Sequence, residues 1–389
     1  MRSRYLLKFI LEDIQEKMVF LAGPRQVGKT TLSQKLLAPK FSEHKYYNWD
    51  FKDDRKDILS AYFHSEQGLI ILDEIHKYKK WKNLVKGFYD KFKDKYNFFI
   101  TGSARLDLYR RGSDSLMGRY HYFRLHPFSL SELSDIAPQI DPMKELIIPN
   151  RSERQHFQQL YIYGGFPEPL LKSSMRTLKR WHNERTERLF REDIRDTENI
   201  RQLDQMQILC SLLPSKVSSP ISLNSLREDI EVGHRTVGNW IRILETFYYN
   251  FRIYPYSKNI ARSLKKEGKL YLWDWSELEN EGAKFENIIA SHLLKTVHFL
   301  HDVHGEKCEM YYLRDREKRE VDFLLTINGK PWMAIETKLS DRSPSGHLQY
   351  FKNKLNIPFC YQVIKDSNFD KICDGIRIIS ADKFLLSLP

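Results

Sequence analysis

Four short runs in the first hundred residues read as strands. "MVFLAG" (18–23) is apolar until it ends in glycine, and "HKYYNWD" (44–50), "GLIILDE" (68–74) and "YNFFITGS" (96–103) are similar. Short apolar runs without alternation suit strands buried on both faces, as in parallel sheets. Helical patterns lie between them; "WKNLVKGFYDKF" sets Trp81, Leu84, Val85, Phe88 and Phe92 on one face. Strands alternating with helices predict an α/β fold with a parallel sheet. From about residue 152 the period turns helical through "RQHFQQLYIYGG" and "RTLKRWHNERTERLFREDI", then "LDQMQILCSLL", "SLNSLREDI" and "HRTVGNWIRILETFYY". After Phe251 strand-like alternation returns and, with a helix at "FENIIASHLLKTV", runs to the C-terminus. The expected units are an α/β core over residues 1–150, a helical lid over 151–205, a small helical domain over 206–272 and an α+β domain over 273–389.

The clearest alternation is "EVDFLLTINGKPWMAIETK", Glu320 to Lys338. Val321, Phe323, Leu325 and Ile327 are apolar on the first strand, and Met333, Ile335 and Leu339 on the second. Directly paired residues share a face, so burying both sets together needs odd-to-odd pairing. A three-residue loop, Asn328-Gly329-Lys330, pairs Ile327 with Pro331 and achieves this. The same register sets Asp322 opposite Glu336, with Lys338 on that face. Two such carboxylates suit a shared Mg²⁺, and a lysine beside them can orient water for phosphodiester hydrolysis.

Composition narrows the class. The 389 residues are 41% hydrophobic and 29% charged, which reads as soluble and globular with room for two or three cores. The net charge is +12, and the C-terminal segment 271–389 is slightly acidic, so the excess lies before it. Excess Lys and Arg favour a polyanionic partner, with DNA as the expected one. Cys210, Cys308, Cys360 and Cys373 are scattered with no metal-ligand spacing, which points to a reduced, cytoplasmic setting without zinc or disulfides. Glu12, Asp13 and Glu16 interrupt any signal-peptide core, and no stretch is apolar enough to span a bilayer.

The candidate chemistry begins at "GPRQVGKTT", which matches G-x-x-x-x-G-K-[ST] at Gly23, Gly28, Lys29 and Thr30, directly after a strand and before a helix. Across Gly23, Pro24, Arg25, Gln26, Val27 and Gly28 the backbone N–H groups can wrap a phosphate, with the helix start at Lys29, Thr30 and Thr31 adding its dipole. Lys29 can reach the β- and γ-phosphates of ATP, and the Thr30 hydroxyl can ligate Mg²⁺. "LIILDE" supplies Asp73 for the Mg²⁺ shell and Glu74 to polarise an attacking water. A nucleotide switch would not need Glu74, so its presence favours hydrolysis. Ser103, ending the next strand, can sense the γ-phosphate.

On these residues the chain resembles the AAA-type branch of P-loop ATPases. It is similar, more narrowly, to the archaeal and bacterial family that joins that ATPase to a C-terminal domain of unknown function. "GPRQVGKTTL", "LDEIHK", "ITGSARL", "GRYHYFRLHPFSLSEL", "YGGFPEP" and "EVDF…IETK" carry the likeness in order along the chain. The resemblance implies that Gly165 and Pro167 of "GGFP" lie beside the adenine, where the residues alone read as a helix-breaking turn. It also implies a homo-oligomer, a ring and by analogy a hexamer, in which an arginine from a neighbour completes the site. Arg105, Arg110, Arg111 and Arg119 follow the sensor strand; Arg119 is the first choice, and a basic loop facing solvent or DNA is the alternative for each.

"ISLNSLREDIEVGHRTVGNWIRILETFYY" has two helical segments joined by "EVGH", where Gly233 permits a tight turn, and "SLKKEGKLYLW" can form a wing. That is the layout of a winged helix-turn-helix. Its second helix exposes His234, Arg235, Asn239 and Arg242 for DNA, with Lys265, Lys266 and Lys269 on the wing, while packing without DNA contact is the alternative. The hairpin resembles a PD-(D/E)xK nuclease-like domain, in which Glu286 is the preceding helix acid beside Asp322, Glu336 and Lys338. The leading expectation is a Mg²⁺-dependent ATPase that binds and remodels DNA, with branched or Holliday-junction DNA suggested by analogy only. An ATP-controlled metal-dependent nuclease and a nucleotide-driven switch with a protein partner are the alternatives.

Overall fold

The structure is a computed structural model and describes residues 2–102, 116–194, 202–257, 266–365 and 368–389. The chain divides into two compact units, Met1–Pro127 and Phe128–Pro389.

The first unit is built on five parallel strands: β1 (Met18–Ala22), β2 (His44–Asn48), β3 (Gly68–Asp73), β4 (Tyr96–Thr101) and β5 (Tyr120–Arg124), in the order β2-β3-β4-β1-β5. Every residue of β1 is buried, and β3 is buried from Leu69 to Asp73. The helix Trp81–Phe92 buries Trp81, Val85 and Phe88, and Leu84 and Phe92 pack partly buried against the same core. Phe63 meets the rings of Tyr47, Phe88, Tyr96 and Phe98 edge-on. Burying one such ring contributes about 1.5–3 kcal/mol. The fifth strand is not predicted by the hydrophobic pattern: "YHYFR" is at the sheet edge with only Phe123 buried, so it lacks an apolar run.

The second unit opens with the helix Leu130–Leu133, whose start is closed by a capping box between Ser129 and Glu132. The Glu132 carboxylate receives the Lys295 ammonium at 2.5 Å, and Leu130 N–H donates to His292 Nε2 at 3.2 Å, so this segment is held to the helix Glu281–His304. The boundary by packing thus falls at Pro127, and residues 128–150 fold with the second unit; the Trp332 indole N–H, for example, donates to the Lys144 carbonyl at 2.8 Å. Helices Arg154–Tyr163, Pro167–Lys172, Met175–Arg188, Leu203–Leu212, Leu223–Ile230 and His234–Thr246 follow.

Eight strands form its sheet: β6 (Asn250–Pro255), β7 (Lys269–Leu272), β8 (Cys308–Arg314), β9 (Glu320–Ile327), β10 (Lys330–Lys338), β11 (Phe359–Ile364), β12 (Asp370–Cys373) and β13 (Ile376–Ser380). Their order is β12-β13-β11-β10-β9-β8-β6-β7. The expected wing, β6 with β7, is therefore part of the C-terminal sheet, joined by parallel pairing of Tyr254 and Pro255 with Tyr311 and Tyr312. The outer edge of β7 is covered by two elements: the segment 217–221 bridges to it, with Ser218 N–H donating to Leu270 C=O at 3.1 Å and Ile221 N–H to Gly268 C=O at 2.9 Å, and the Asn287 amide accepts from Leu272 N–H and donates to Leu272 C=O, both at 2.8 Å. Among the described residues no helix is long and apolar enough to cross a membrane.

Candidate phosphate-loop site and carboxylate cluster

The phosphate loop leaves β1 at the carboxyl end of the sheet, where open parallel sheets bind ligands. Gly23 has φ +147°, and a Cβ there would stand 2.5 Å from the Leu125 carbonyl oxygen, so only glycine fits. Gln26 (φ +60°) and Gly28 (φ +98°) are left-handed, a backbone pattern that gathers N–H groups into an anion-binding concavity. The buried Arg4 braces the loop by donating to Val27 C=O at 2.9 Å and His126 C=O at 2.5 Å. Lys29, 8% exposed, donates to the carbonyls of Gly23 (2.9 Å) and Pro24 (2.8 Å).

Asp73 ends β3, and the strand register pairs it with Thr101 on one side and Asn48 on the other. Its carboxylate accepts from Thr30 Oγ1 (3.2 Å), Tyr46 OH (2.7 Å) and Thr101 Oγ1 (2.5 Å). A hydroxyl and a carboxylate beside a phosphate loop are the oxygen donors Mg²⁺ takes, so the residues present fit that ion. Glu74 follows in the left-handed region (φ +58°), its N–H donating to Thr101 C=O at 3.1 Å. One of its oxygens lies 3.4 Å from His76 Nε2 and 3.6 Å from Lys77 Nζ. Burial and then the neighbouring Asp73 carboxylate raise its pKa, against the pull of Lys29, Lys77 and Arg25. A raised proton affinity suits a carboxylate that takes a proton from water.

Pro24, Arg25, Gln26, Val27, Lys29, Thr30 and Thr31 thus form one loop and helix start with the two glycines, beside Asp73 and Glu74. Ser103, Arg105, Arg110 and Arg111 lie outside the described residues. Arg119 precedes β5 at the end of the sheet opposite the phosphate loop and holds Asp90 through Nε (2.7 Å) and Nη2 (3.3 Å). Arg4, Tyr46 and Thr101 are site residues that the sequence does not single out. The only signal for Tyr46 and Thr101 is their position in strand-like runs, and their pairing with Asp73 depends on strand order. In "YGGFPEP", Gly164 carries the steric constraint: its φ is +75°, and a Cβ there would stand 2.6 Å from Asp274 Oδ1. Gly165 C=O accepts from Phe128 N–H at 2.7 Å, and Pro167 starts the helix Pro167–Lys172; both lie in the second unit.

The β9–β10 hairpin corrects the expected loop. Lys330 pairs with Ile327, so the turn is the two-residue Asn328-Gly329, both left-handed (φ +51° and +75°). That turn matches the natural twist of the strands. A bulge between Pro331 and Met333 then shifts the register by one, and Met333, Ala334 and Ile335 pair with Leu325, Leu324 and Phe323. Continuing that register sets Glu336 beside Asp322, the expected juxtaposition reached by another route.

Lys269 is a second correction. It was expected on the surface of a wing, but it is 1% exposed. Its ammonium lies 2.7 Å from Glu320, 3.3 Å from Glu286 and 3.5 Å from Asp322. Burial alone would lower its pKa, but these three carboxylates raise it above the lysine range. Glu286 also accepts from Tyr271 OH at 2.7 Å, and Asp322 from Thr337 N–H (2.9 Å) and Oγ1 (2.8 Å). Lys338 pairs with Glu336 at 2.8 Å. Burial, then Asp322, push Glu286 to about 8 and Glu336 to about 7. Glu286, Asp322, Glu336 and Lys338 are therefore gathered, with a protein ammonium among the acids. Among the described residues no three His, Cys, Asp or Glu are arranged to hold a metal ion.

On the helix His234–Thr246, His234, Arg235, Asn239 and Arg242 are exposed, and Val237, Trp240, Ile241 and Leu244 are buried. The left-handed residue of the preceding turn is Glu231 (φ +53°), whereas Gly233 has φ −69° and serves as the N-cap, which corrects the role expected of Gly233. Lys266 is exposed, and Lys265 lies outside the described residues.

Three family models match in series: an AAA domain over residues 15–134, a domain of unknown function (DUF8612) over 154–278, and another (DUF4143) over 281–384. The uncharacterized protein MJ1544 of Methanocaldococcus jannaschii is 22% identical, covering 94% of this chain and 87% of its own length. Among solved structures, a Thermotoga maritima RuvB has TM-score 0.31 at 17% identity, covering 67% of this chain and 94% of that one. The Aeropyrum pernix Orc1 protein in complex with DNA has TM-score 0.34 at 12% identity, covering 75% and 91%. The chain carries an AAA-type P-loop domain whose phosphate loop and acid pair are intact, followed by two domains of unknown function.

Proposed function

We propose that the protein is a Mg²⁺-dependent ATPase that assembles with copies of itself and binds and remodels DNA. The observation that carries the reading is Thr30 hydrogen-bonded to Asp73, with Lys29 behind it in a glycine-bounded loop and Glu74 beside it. In this reading Lys29 and the loop N–H groups neutralise the phosphates. Glu74 takes the proton of the attacking water as the bond from the terminal phosphorus to the leaving diphosphate breaks. Bound Mg²⁺, held by Thr30 and Asp73, would offset charge on the phosphate oxygens. An arginine of a neighbouring copy, with Arg119 a candidate, completes the site in a ring that is hexameric by analogy.

DNA as the substrate is supported by the net charge of +12 and by the exposed row His234, Arg235, Asn239 and Arg242 on a helix-turn-helix followed by a hairpin. We read residues 206–272 as a winged helix on that basis, and 273–389 as a nuclease-like domain that serves as a binding platform. Cutting would need a metal among Glu286, Asp322 and Glu336, and ammonium groups already balance that charge, Lys269 beside Glu286 and Asp322 and Lys338 beside Glu336.

Glu74→Gln keeps the shape and removes the base. It should bind ATP as tightly as the wild type and lose hydrolysis by about 10²-fold or more. Wild-type turnover in that variant would show that Glu74 is not the base. ATPase rates with single-stranded, duplex and four-way DNA test the second half, since a rate indifferent to all three would end the remodelling reading.

A further inference from the structure

A cavity of 510 Å³ in the second unit is lined by Lys266, Arg314, Arg316, Arg319 and Lys354, with only Asp315 and Glu317 as acids. Its cations come from the approach to β7, the end of β8 and the turn that follows it, and the helix Gly346–Leu355. The turn is prebuilt. Asp315 Oδ1 accepts from the N–H groups of Glu317 (3.0 Å) and Arg319 (3.1 Å), while Oδ2 accepts from Arg319 Nε at 2.7 Å. The Arg319 guanidinium also lies 3.7 Å from the centre of the Tyr350 ring, and Tyr350 OH accepts from it at 2.9 Å. Lys354, one helical turn from Tyr350, donates to the same hydroxyl at 2.8 Å.

Arg319 and Arg314 are thus engaged with carboxylates, Arg314 with Glu320 at 3.4 Å. Lys266, Arg316 and Lys354 are different. All three are exposed, and among the described residues none pairs with a carboxylate. Three unpaired cations from three elements around one cavity suit the repeated charge of a strand better than one compact anion, which would need donors converging from one place. The tyrosine, already stiffened by Arg319, adds a ring against which a base or sugar can lie.

We propose that this pocket binds the phosphodiester backbone of a nucleic-acid strand, with Lys266, Arg316 and Lys354 holding the phosphates. The proposal rests on the reading of the protein as DNA-binding and names a place for it apart from the helix His234–Thr246.

The test is binding of a labelled single strand and a labelled duplex, by fluorescence anisotropy over a series of salt concentrations. It uses the full chain and the triple variants Lys266→Gln/Arg316→Gln/Lys354→Gln and Lys266→Glu/Arg316→Glu/Lys354→Glu. Affinity should fall at least about tenfold in the first and further in the second. The slope of log K against log salt should shrink by about 0.7–0.9 for each phosphate no longer neutralised. If the wild type binds and both triple variants match it, the pocket proposal fails while the DNA reading stands, and Arg235→Ala/Arg242→Ala then locates the interface. If the wild type binds no nucleic acid, both fail. Displacement of the strand by an equal concentration of a mononucleotide would assign the pocket to a free nucleotide and also overturn the proposal.

Discussion

The Lys269 ammonium lies within 3.5 Å of Glu286, Glu320 and Asp322, and its side chain is 2% exposed. Removing one partner of such a group leaves buried charge uncompensated, a loss of about 3–5 kcal/mol. The pH dependence follows from Glu286. In the folded chain it keeps its proton up to about pH 8, whereas unfolded it releases it in the ordinary glutamate range. Between those limits the folded state binds more protons, so stability falls as pH rises. Lys269 opposes that fall by favouring the ionised acid. Lys269→Met should therefore be more destabilising at pH 8 than at pH 5, measured by chemical denaturation at both. An equal loss at the two values would mean that the ammonium does not balance Glu286. The four polar residues of this site were legible in the sequence as Glu286, Asp322, Glu336 and Lys338. Lys269 was not, because its role depends on β7 closing the edge of a sheet whose next strands come some forty residues later.

At the scale of elements, the β9–β10 hairpin separates what alternation dictates from what it leaves open. Burying Phe323, Leu325, Met333 and Ile335 together demands an odd-to-odd register, and that register is observed. A looser loop and a tight turn with a bulge both satisfy it. The strand twist favours the two-residue turn, and Trp332 occupies the bulge because its ring is fully buried and its N–H reaches Lys144 C=O. Gly329→Ala puts a side chain at φ +75° in open space and should cost about 1 kcal/mol. Trp332→Ala empties a buried site and should cost about 3–5 kcal/mol. Urea denaturation of both checks the order; a Trp332 variant no weaker than the Gly329 variant would show that the bulge does not anchor the hairpin.

Across the whole molecule, excess positive charge is an expectation about partners. If DNA is bound chiefly through phosphates, affinity should drop by about 10³-fold or more between 50 mM and 200 mM salt for six or more neutralised phosphates. A flat salt response would favour a protein partner and the switch reading instead.

The phosphate loop was legible to the residue because its chemistry is local. A strand, a glycine-bounded loop and a helix start need only neighbours in sequence, and the acid pair sits on a strand recognisable by its own apolar run. The exposed face of the helix His234–Thr246 was legible for the same reason, since period alone sets which residues of a helix face inward. Tertiary structure decided everything that needed distant elements to meet. Strand order placed Thr101 and Tyr46 on Asp73, the β7 edge carried Lys269 into the carboxylates, and the β8–β9 turn met a later helix to form the basic pocket. Pairing between residues far apart in sequence leaves no periodic trace in either of them.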